Sequence, residues 1–161
     1  MTILLVAGIL AVGLAAWLWV DLVITQADLL ASSSSPLLQG FAAEVIDIGE
    51  SVYFDATNNN WGLARATTAA LAGTEGVGIA CSCAAAAGQR FLVWRGGDID
   101  VGAVLTVGQV YCISATVGGG KIAPYSDLVA GNFVTILGVA TAADNLKAPS
   151  GGPFITDTAK A

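Results

Sequence analysis

Six short apolar segments, each containing or flanked by glycine, decide the fold: GESVYFD (49–55), EGVGIACSC (75–83), GQRFLVWRGG (88–97), GAVLTVGQVYCIS (102–114), GGGKIAP (118–124) and GNFVTILGVATA (131–142). Strand-forming residues alternate with turn residues at close, fairly regular spacing, which is typical of a small antiparallel sandwich or barrel. The sequence therefore predicts a mainly β protein, a small antiparallel β-sandwich or barrel preceded by an N-terminal apolar helix and an extended arm.

Individual strands follow from the same pattern. The expected strands cover residues 50–54, 61–66, 76–83, 91–94, 104–106, 109–114, 121–124 and 133–140. The last of these is a continuous apolar run, as in a strand buried on both faces. The alanine-rich TTAALA segment (67–72) predicts one or two turns of helix.

The composition argues against catalysis and against nucleic-acid binding. Charged residues make up 11% of the chain, apolar residues make up 55%, and histidine is absent. This apolar excess predicts that a membrane or a subunit interface covers part of the surface. The net charge of −6, with six scattered basic residues, argues against a phosphate backbone as partner. We expect a protein that acts through its surface and its assembly, with no enzymatic activity and no cofactor.

Residues 3–20 form an unbroken apolar run, ILLVAGILAVGLAAWLWV. As a helix this run spans roughly 27 Å, about the thickness of the hydrocarbon core of a bilayer. Trp17 and Trp19 stand at its end, where an aromatic belt lies. Ala7, Ala11 and Ala15 form a stripe of small residues suited to close helix–helix packing. A membrane-spanning helix is the first interpretation.

Three alternatives to the membrane helix remain open. A signal peptide is disfavoured, because no Lys or Arg precedes Arg65. A bundle of such helices around an oligomer axis would bury the same surface without lipid. A shorter protein that starts at Val23 is the third alternative.

The predicted organisation has four parts. They are an apolar helix (1–23), an extended arm or linker (24–40), a β-domain (41–148) and a flexible tail (149–161). The arm contains SSSSP (32–36), where Pro36 disfavours a helical Ser35. One hypothesis is a plain linker, and the other is an arm that adds to a partner's sheet edge. In the second case Leu29, Leu30, Leu37 and Leu38 are the candidate binding residues.

Motifs that carry chemistry are weak or incomplete. Cys81, Cys83 and Cys112 are too few for a disulfide framework, and Cys81 with Cys83 lacks the further ligands that zinc requires. We interpret the three as small buried residues on strands. GGGK (118–121) lacks the spacing of a phosphate loop, and GGDIDVG (96–102) lacks the further oxygen ligands of a calcium loop. No metal site is predicted.

The order of these segments resembles small capsid-decoration, or cement, proteins of tailed bacteriophages. The resemblance covers about residues 25–147 and is carried by GESVYFDATNNNWGLARA (49–66), by the segment from Thr74 to Lys147, and by TQADLLASSSSP (25–36), which looks like the family's N-terminal arm. Within the second segment lie GIA (78–80), G-x-x-L-T (102–106) and the closing GVA (138–140). The order and spacing of these pieces are more specific than any one of them.

The resemblance implies a homotrimer on the outer capsid surface of a virion that bridges subunits of the major capsid protein. The apolar run at 3–20 departs from the family pattern, since such proteins usually lack it. A membrane-anchored β-domain, either a spike or minor protein of a virion membrane or a cell-envelope protein, is the alternative expectation.

Overall fold

A computed structural model describes residues 37–149 and 152–161. This part of the chain is mainly β, with eleven strands and a single 3₁₀ turn at Tyr125–Asp127. The strands are β1 (Leu37–Phe41), β2 (Ser51–Asp55), β3 (Asn60–Leu63), β4 (Val77–Ala80), β5 (Arg90–Trp94), β6 (Asp98–Asp100), β7 (Val110–Ile113), β8 (Ile122–Pro124), β9 (Phe133–Ala140), β10 (Asn145–Lys147) and β11 (Phe154–Ala159).

The first sheet has the strand order β1-β5-β4-β2-β3, and every neighbouring pair is antiparallel. Its two outer strands approach each other. Directly after β1, Ala42 forms a parallel bridge with Trp61 of β3, and the Ala43 N–H donates to the Trp61 carbonyl at 2.7 Å. The sheet therefore curls almost closed, as in a small barrel.

The second sheet has the order β6-β10-β9-β7-β8, with β11 added to β9. The eight-residue strand β9 is its centre and pairs with β7 along one side. Its other side is divided, since Ala140 pairs with Leu146 of β10 and Ile136 pairs with Phe154 of β11. All of these pairings are antiparallel.

The main core lies between the two sheets. Successive side chains of a strand point to opposite faces, so Val77 and Ile79 of β4 enter this core while Ala80 enters another. The main core takes residues from both sheets; its largest fully buried members are Trp94, Ile79, Ile113, Leu137 and Leu146. Burying a side chain of this size stabilises the fold by about 1.5–3 kcal/mol relative to leaving it exposed.

A second, smaller core fills the concave side of the curled first sheet. Its members are Ala42, Ile46, Val52, Trp61, Ala80, Ala84, Phe91 and Val93. Gly40 of β1 lies directly on the Trp61 indole, so that any side chain there would overlap the ring. The first sheet thus has a core on each face, although Leu38, Gln39 and Phe41 of β1 are exposed.

The mainly β, antiparallel architecture predicted from the sequence is confirmed. The strand at 133–140 has the predicted bounds, and six other predicted strands are present with shifted ends. The tight bend predicted at Val107–Gly108 is also present as a turn. The apolar helix predicted for residues 1–23, with its candidate packing face at Ala7, Ala11 and Ala15, lies outside the described residues. In the part of the chain that the structure describes, no helix has the length and apolar character needed to cross a membrane.

Two local predictions are wrong. Residues 67–72 form turns instead of a helix, with one i-to-i−4 hydrogen bond from the Ala72 N–H to the Thr68 carbonyl. A segment of this length cannot offset the cost of helix nucleation, and its backbone is used by other contacts, such as that of the buried Thr135 hydroxyl with the Ala72 carbonyl at 2.7 Å. Residues 104–106 form no strand, because Leu105 turns into the core and donates its N–H to Ala143 outside any sheet ladder.

The predicted domain ends also differ from the structure. The β-domain begins at Leu37 and not at residue 41, because β1 pairs with β5 from Leu37↔Trp94 to Phe41↔Arg90. The tail predicted to be flexible contains β11, which pairs with β9. Its sequence FITDTA is rich in β-branched residues, which favour a strand once an edge is free to receive it.

Candidate functional site

The four leucines of the predicted binding arm fall in two regions. Leu29 and Leu30 lie outside the described residues. Leu37 and Leu38 lie in β1, inside the first sheet, where Leu37 is half-buried against the main core and Leu38 is 42% exposed. The strand addition predicted for a partner's sheet is made, at these two residues, to the protein's own β5.

The cysteines differ in their environments. Cys112 is fully buried in β7, Cys81 is half-buried and Cys83 is exposed, so the prediction of three buried residues holds for Cys112 alone. Cys81 and Cys83 lie beyond the end of β4, where the strand alternation no longer applies. Burial raises the pKa of the Cys81 thiol, partly offset by a hydrogen bond with the Trp94 backbone, and such a thiol stays protonated at neutral pH. Within residues 37–149 and 152–161, no group of acidic, cysteine or histidine side chains could hold a metal ion.

The glycine-rich segment at 118–121 is a structural turn between β7 and β8. Gly118, Gly119 and Gly120 all have positive φ, from 72° to 98°. The Gly119 and Gly120 N–H groups donate to the carbonyls of Thr116 and Ala64. Lys121 lies 3.4 Å from Glu50. Since two of the amides and the lysine already have protein partners, the segment lacks the free donors that cradle a phosphate.

The acidic segment 98–100 forms the edge strand β6. Asp98 lies 4.0 Å from Lys147 of β10, and the Asp100 carboxylate accepts the Gly102 N–H at 2.8 Å. Acidic side chains on a short edge strand discourage pairing with another sheet. This segment is therefore a sheet edge that is protected against pairing with another sheet.

Perturbed ionisation in the β2–β3 hairpin has local causes. The Asn58 side chain and backbone, together with the Thr57 backbone, donate to Asp55 and lower the pKa of its carboxyl. Burial raises the pKa of Tyr53, and the nearby Asp55 and Glu44 carboxylates add to this. These contacts fix a turn at an exposed hairpin and assemble no acid–base pair.

The most exposed large apolar side chains lie on several loops and on β11, which makes each of them a candidate contact residue. They are Val45 and Ile48 between β1 and β2, Val104 and Val107 before β7, Val117 after β7, Val129 before β9, and Phe154 on β11. Val104 and Val117 are 96% and 90% exposed. Solvent-exposed residues of this kind on a well-packed scaffold are available for contact with a partner.

A cleft of about 330 Å³ lies beside the edge strand β8. Ser114 and Thr116, whose hydroxyls are 2.7 Å apart, line one part of it, and Asp127 and Leu128 of the following loop line another. A smaller cleft of about 270 Å³ is lined by Val77, Arg95, Pro153 and Ile155. Hydroxyls and backbone beside a strand edge suit an extended peptide segment better than a reacting small molecule.

Sequence reasoning missed the role of the C-terminal residues. Lys160 reaches the carbonyls of Tyr125 and Leu128, 35 and 32 residues away in the chain. No local spacing of residues in the sequence predicts a contact over this distance. The β-branched character of residues 155–158 was the one available signal that the chain continues into a strand there.

Comparison with family models, with curated proteins and with solved structures found no match to this chain.

Proposed function

We propose that this chain is a non-enzymatic structural protein of a virion that binds the outer surface of a bacteriophage capsid as a homotrimer, in contact with the major capsid protein. One observation carries the proposal. A β-domain with two well-packed hydrophobic cores exposes apolar side chains on its loops, above all Val104 and Val117. The order of the sequence segments, which resembles that of capsid-decoration proteins, supplies the class of partner.

The proposed mechanism is multivalent binding. Each subunit contributes a few weak apolar contacts, and a trimer presents them together at a junction between capsid subunits, so that the effective concentration of the second and third contacts is high. A protein that binds only the assembled shell stabilises that shell by mass action. No chemical step is required.

Co-sedimentation with capsids tests this proposal. Empty heads are assembled from the major capsid protein of the phage that encodes this chain. They are mixed separately with the full chain, with a Val104→Ser, Val117→Ser double variant, and with a Lys147→Ser variant, which changes an exposed residue outside the loops and is the control. We expect the parent and the control to sediment with heads, and the double variant to bind at least about tenfold more weakly, since two buried valines contribute on the order of 3 kcal/mol. Absence of the parent from the capsid pellet at micromolar concentration would refute the proposal.

A membrane-anchored β-domain is the second candidate function, and the apolar run at residues 3–20 favours it. Flotation with lipid vesicles separates the two. If the full chain floats and a chain lacking residues 1–35 does not, while neither binds heads, the second candidate replaces the first. Intact-mass measurement of the mature protein determines whether residues 1–22 are part of it.

A further inference from the structure

The C-terminal end of the chain holds a loop of the second sheet in place. The Lys160 ammonium donates to the carbonyls of Tyr125 and Leu128 and lies 4.5 Å from the centroid of the Tyr125 ring. The Lys160 backbone adds two hydrogen bonds, from its N–H to the Asn132 carbonyl at 2.7 Å and from the Gly131 N–H to its carbonyl at 2.9 Å. One residue thus contacts both ends of the loop at 125–132.

The loop is part of the wall of the main core. Leu128 is only 3% exposed and belongs to the same cluster as Cys112 and Ile113 of β7. The 3₁₀ turn Tyr125–Asp127 contacts β7, and Leu128 lines the cleft beside β8. The Lys160 charge also acts on the Cys112 thiol, whose pKa it lowers against the larger opposite effect of burial. Lys160, the loop and Cys112 therefore lie close together.

The segment that carries Lys160 packs one apolar side chain, Ile155, against the main core and pairs with β9 in an irregular register. The register of β11 with β9 is irregular between Ile155 and Ala159, where Thr156 and Thr158 hydrogen-bond with each other. Phe154, Thr158, Ala159 and Ala161 are exposed. Since an element with few buried apolar contacts opens at low free-energy cost, the last residues can detach while both cores remain folded.

We propose that the C-terminal segment 154–161 is a releasable strap, with Lys160 as the latch that keeps the loop 125–132 closed over Cys112. When the strap detaches, the loop loses the charge-assisted hydrogen bonds and the cation–π contact of Lys160. Leu128 then leaves the core, and the cleft beside β8 opens toward Cys112. This device operates on the protein alone and does not depend on the proposed capsid binding.

Labelling of Cys112 tests the latch. The full chain carries Cys81→Ala and Cys83→Ala, so that Cys112 is its single thiol, and the rate of reaction with a small neutral maleimide is measured without denaturant. Lys160→Met removes the donors and the charge while keeping the length of the side chain. We expect labelling at least about tenfold faster in this variant, as for the loss of hydrogen bonds to a charged group. Loss of the lysine charge by itself raises the pKa of the thiol and slows labelling, so a faster rate reports opening.

Three controls make the test decisive. Lys147→Met removes another exposed lysine, one that pairs with Asp98 on the far edge of the sheet, and is expected to label at the parental rate. Lys160→Arg keeps a charged donor and is expected to restore most of the protection. Hydrogen exchange at the Gly131 amide is expected to accelerate in Lys160→Met, and amides of β4 are expected to be unchanged. Equal labelling of Lys160→Met and Lys147→Met, or acceleration of the β4 amides in parallel, would overturn the proposal.

Discussion

Gly78 lies in β4, between β2 and β5, and leaves no room for a side chain. A Cβ added there would overlap the Val93 side chain and the Trp94 carbonyl oxygen. We predict that Gly78→Ala lowers the free energy of unfolding by about 3 kcal/mol, because the overlap involves backbone that cannot move without disturbing the sheet. Urea denaturation measures the loss.

Gly88→Ala is the matched control for this substitution. Gly88 has a φ of 80° and no atom within 4 Å of an added Cβ, so alanine there incurs only backbone strain, about 1 kcal/mol. A loss at Gly78 no larger than the loss at Gly88 would show that the close approach of β4 to β5 is not required.

Cys112 gives the fold a dependence on alkaline pH. Burial raises the pKa of its thiol to about 11 from the ordinary 9.0, and the nearby Lys160 ammonium opposes this effect. Because the folded pKa is raised, the unfolded state ionises first. The stabilisation is therefore complete below pH 9 and is lost as the pH rises toward 11, by on the order of 2 kcal/mol.

We predict that Cys112→Val reduces the fall in the free energy of unfolding between pH 8.5 and pH 11. The measurement is urea denaturation at several pH values, and the comparison is of slopes, since valine also changes the packing. Cys83→Ala alters an exposed thiol and should keep the parental slope. Identical slopes for Cys112→Val and the parent would contradict the prediction.

Strand β1 is the element on which the second core depends. It is an outer strand of the first sheet, with Gly40 on the Trp61 indole, and Ala42 directly after it is bridged to Trp61. We predict that deletion of residues 1–35 preserves cooperative unfolding of the domain, whereas deletion of residues 1–41 exposes Trp61 to solvent and abolishes the sharp transition. Tryptophan fluorescence and circular dichroism during urea denaturation measure both effects. A cooperative transition that survives removal of β1 would mean that the remaining four strands hold the second core alone.

Strand β1 differs from the predicted hairpin strands in where its partner lies. Two of the predicted pairs are hairpins, β2 with β3 and β7 with β8. In a hairpin, the alternating residues and the turn between the strands can be recognised from the local sequence. β1 (LLQGF) has no β-branched residue, follows a serine run, and pairs with a strand near residue 92. A partner so distant in sequence leaves no local pattern, so the sequence predicts an arm here instead of a strand. The contact of Lys160 with residues 125 and 128 lacks a local pattern for the same reason, whereas β11 does carry a signal in its β-branched residues.

At the scale of the whole molecule, the exposed apolar loops and the low charge predict self-association. A chain that is 55% apolar and 11% charged covers its surface poorly as a monomer. We predict that the chain lacking residues 1–35 sediments as a trimer at micromolar concentration in analytical ultracentrifugation. The Val104→Ser, Val117→Ser variant shows whether the loops that we assign to capsid contact also hold the trimer. A single monomeric species of the parental domain would remove the trimer from the proposed function.

The pairing of β1 with β5 also orders the events of biosynthesis. On the ribosome, β1 leaves the exit tunnel roughly fifty residues before its partner β5. Throughout that interval the nascent chain carries an unpaired strand and exposed apolar side chains of the second core. The second sheet is assembled later still, from residues 98–159. Because Lys160 follows Leu128 by 32 residues, the loop at 125–132 is synthesised well before the residue that holds it, and its closure is a late step in the assembly of the second sheet.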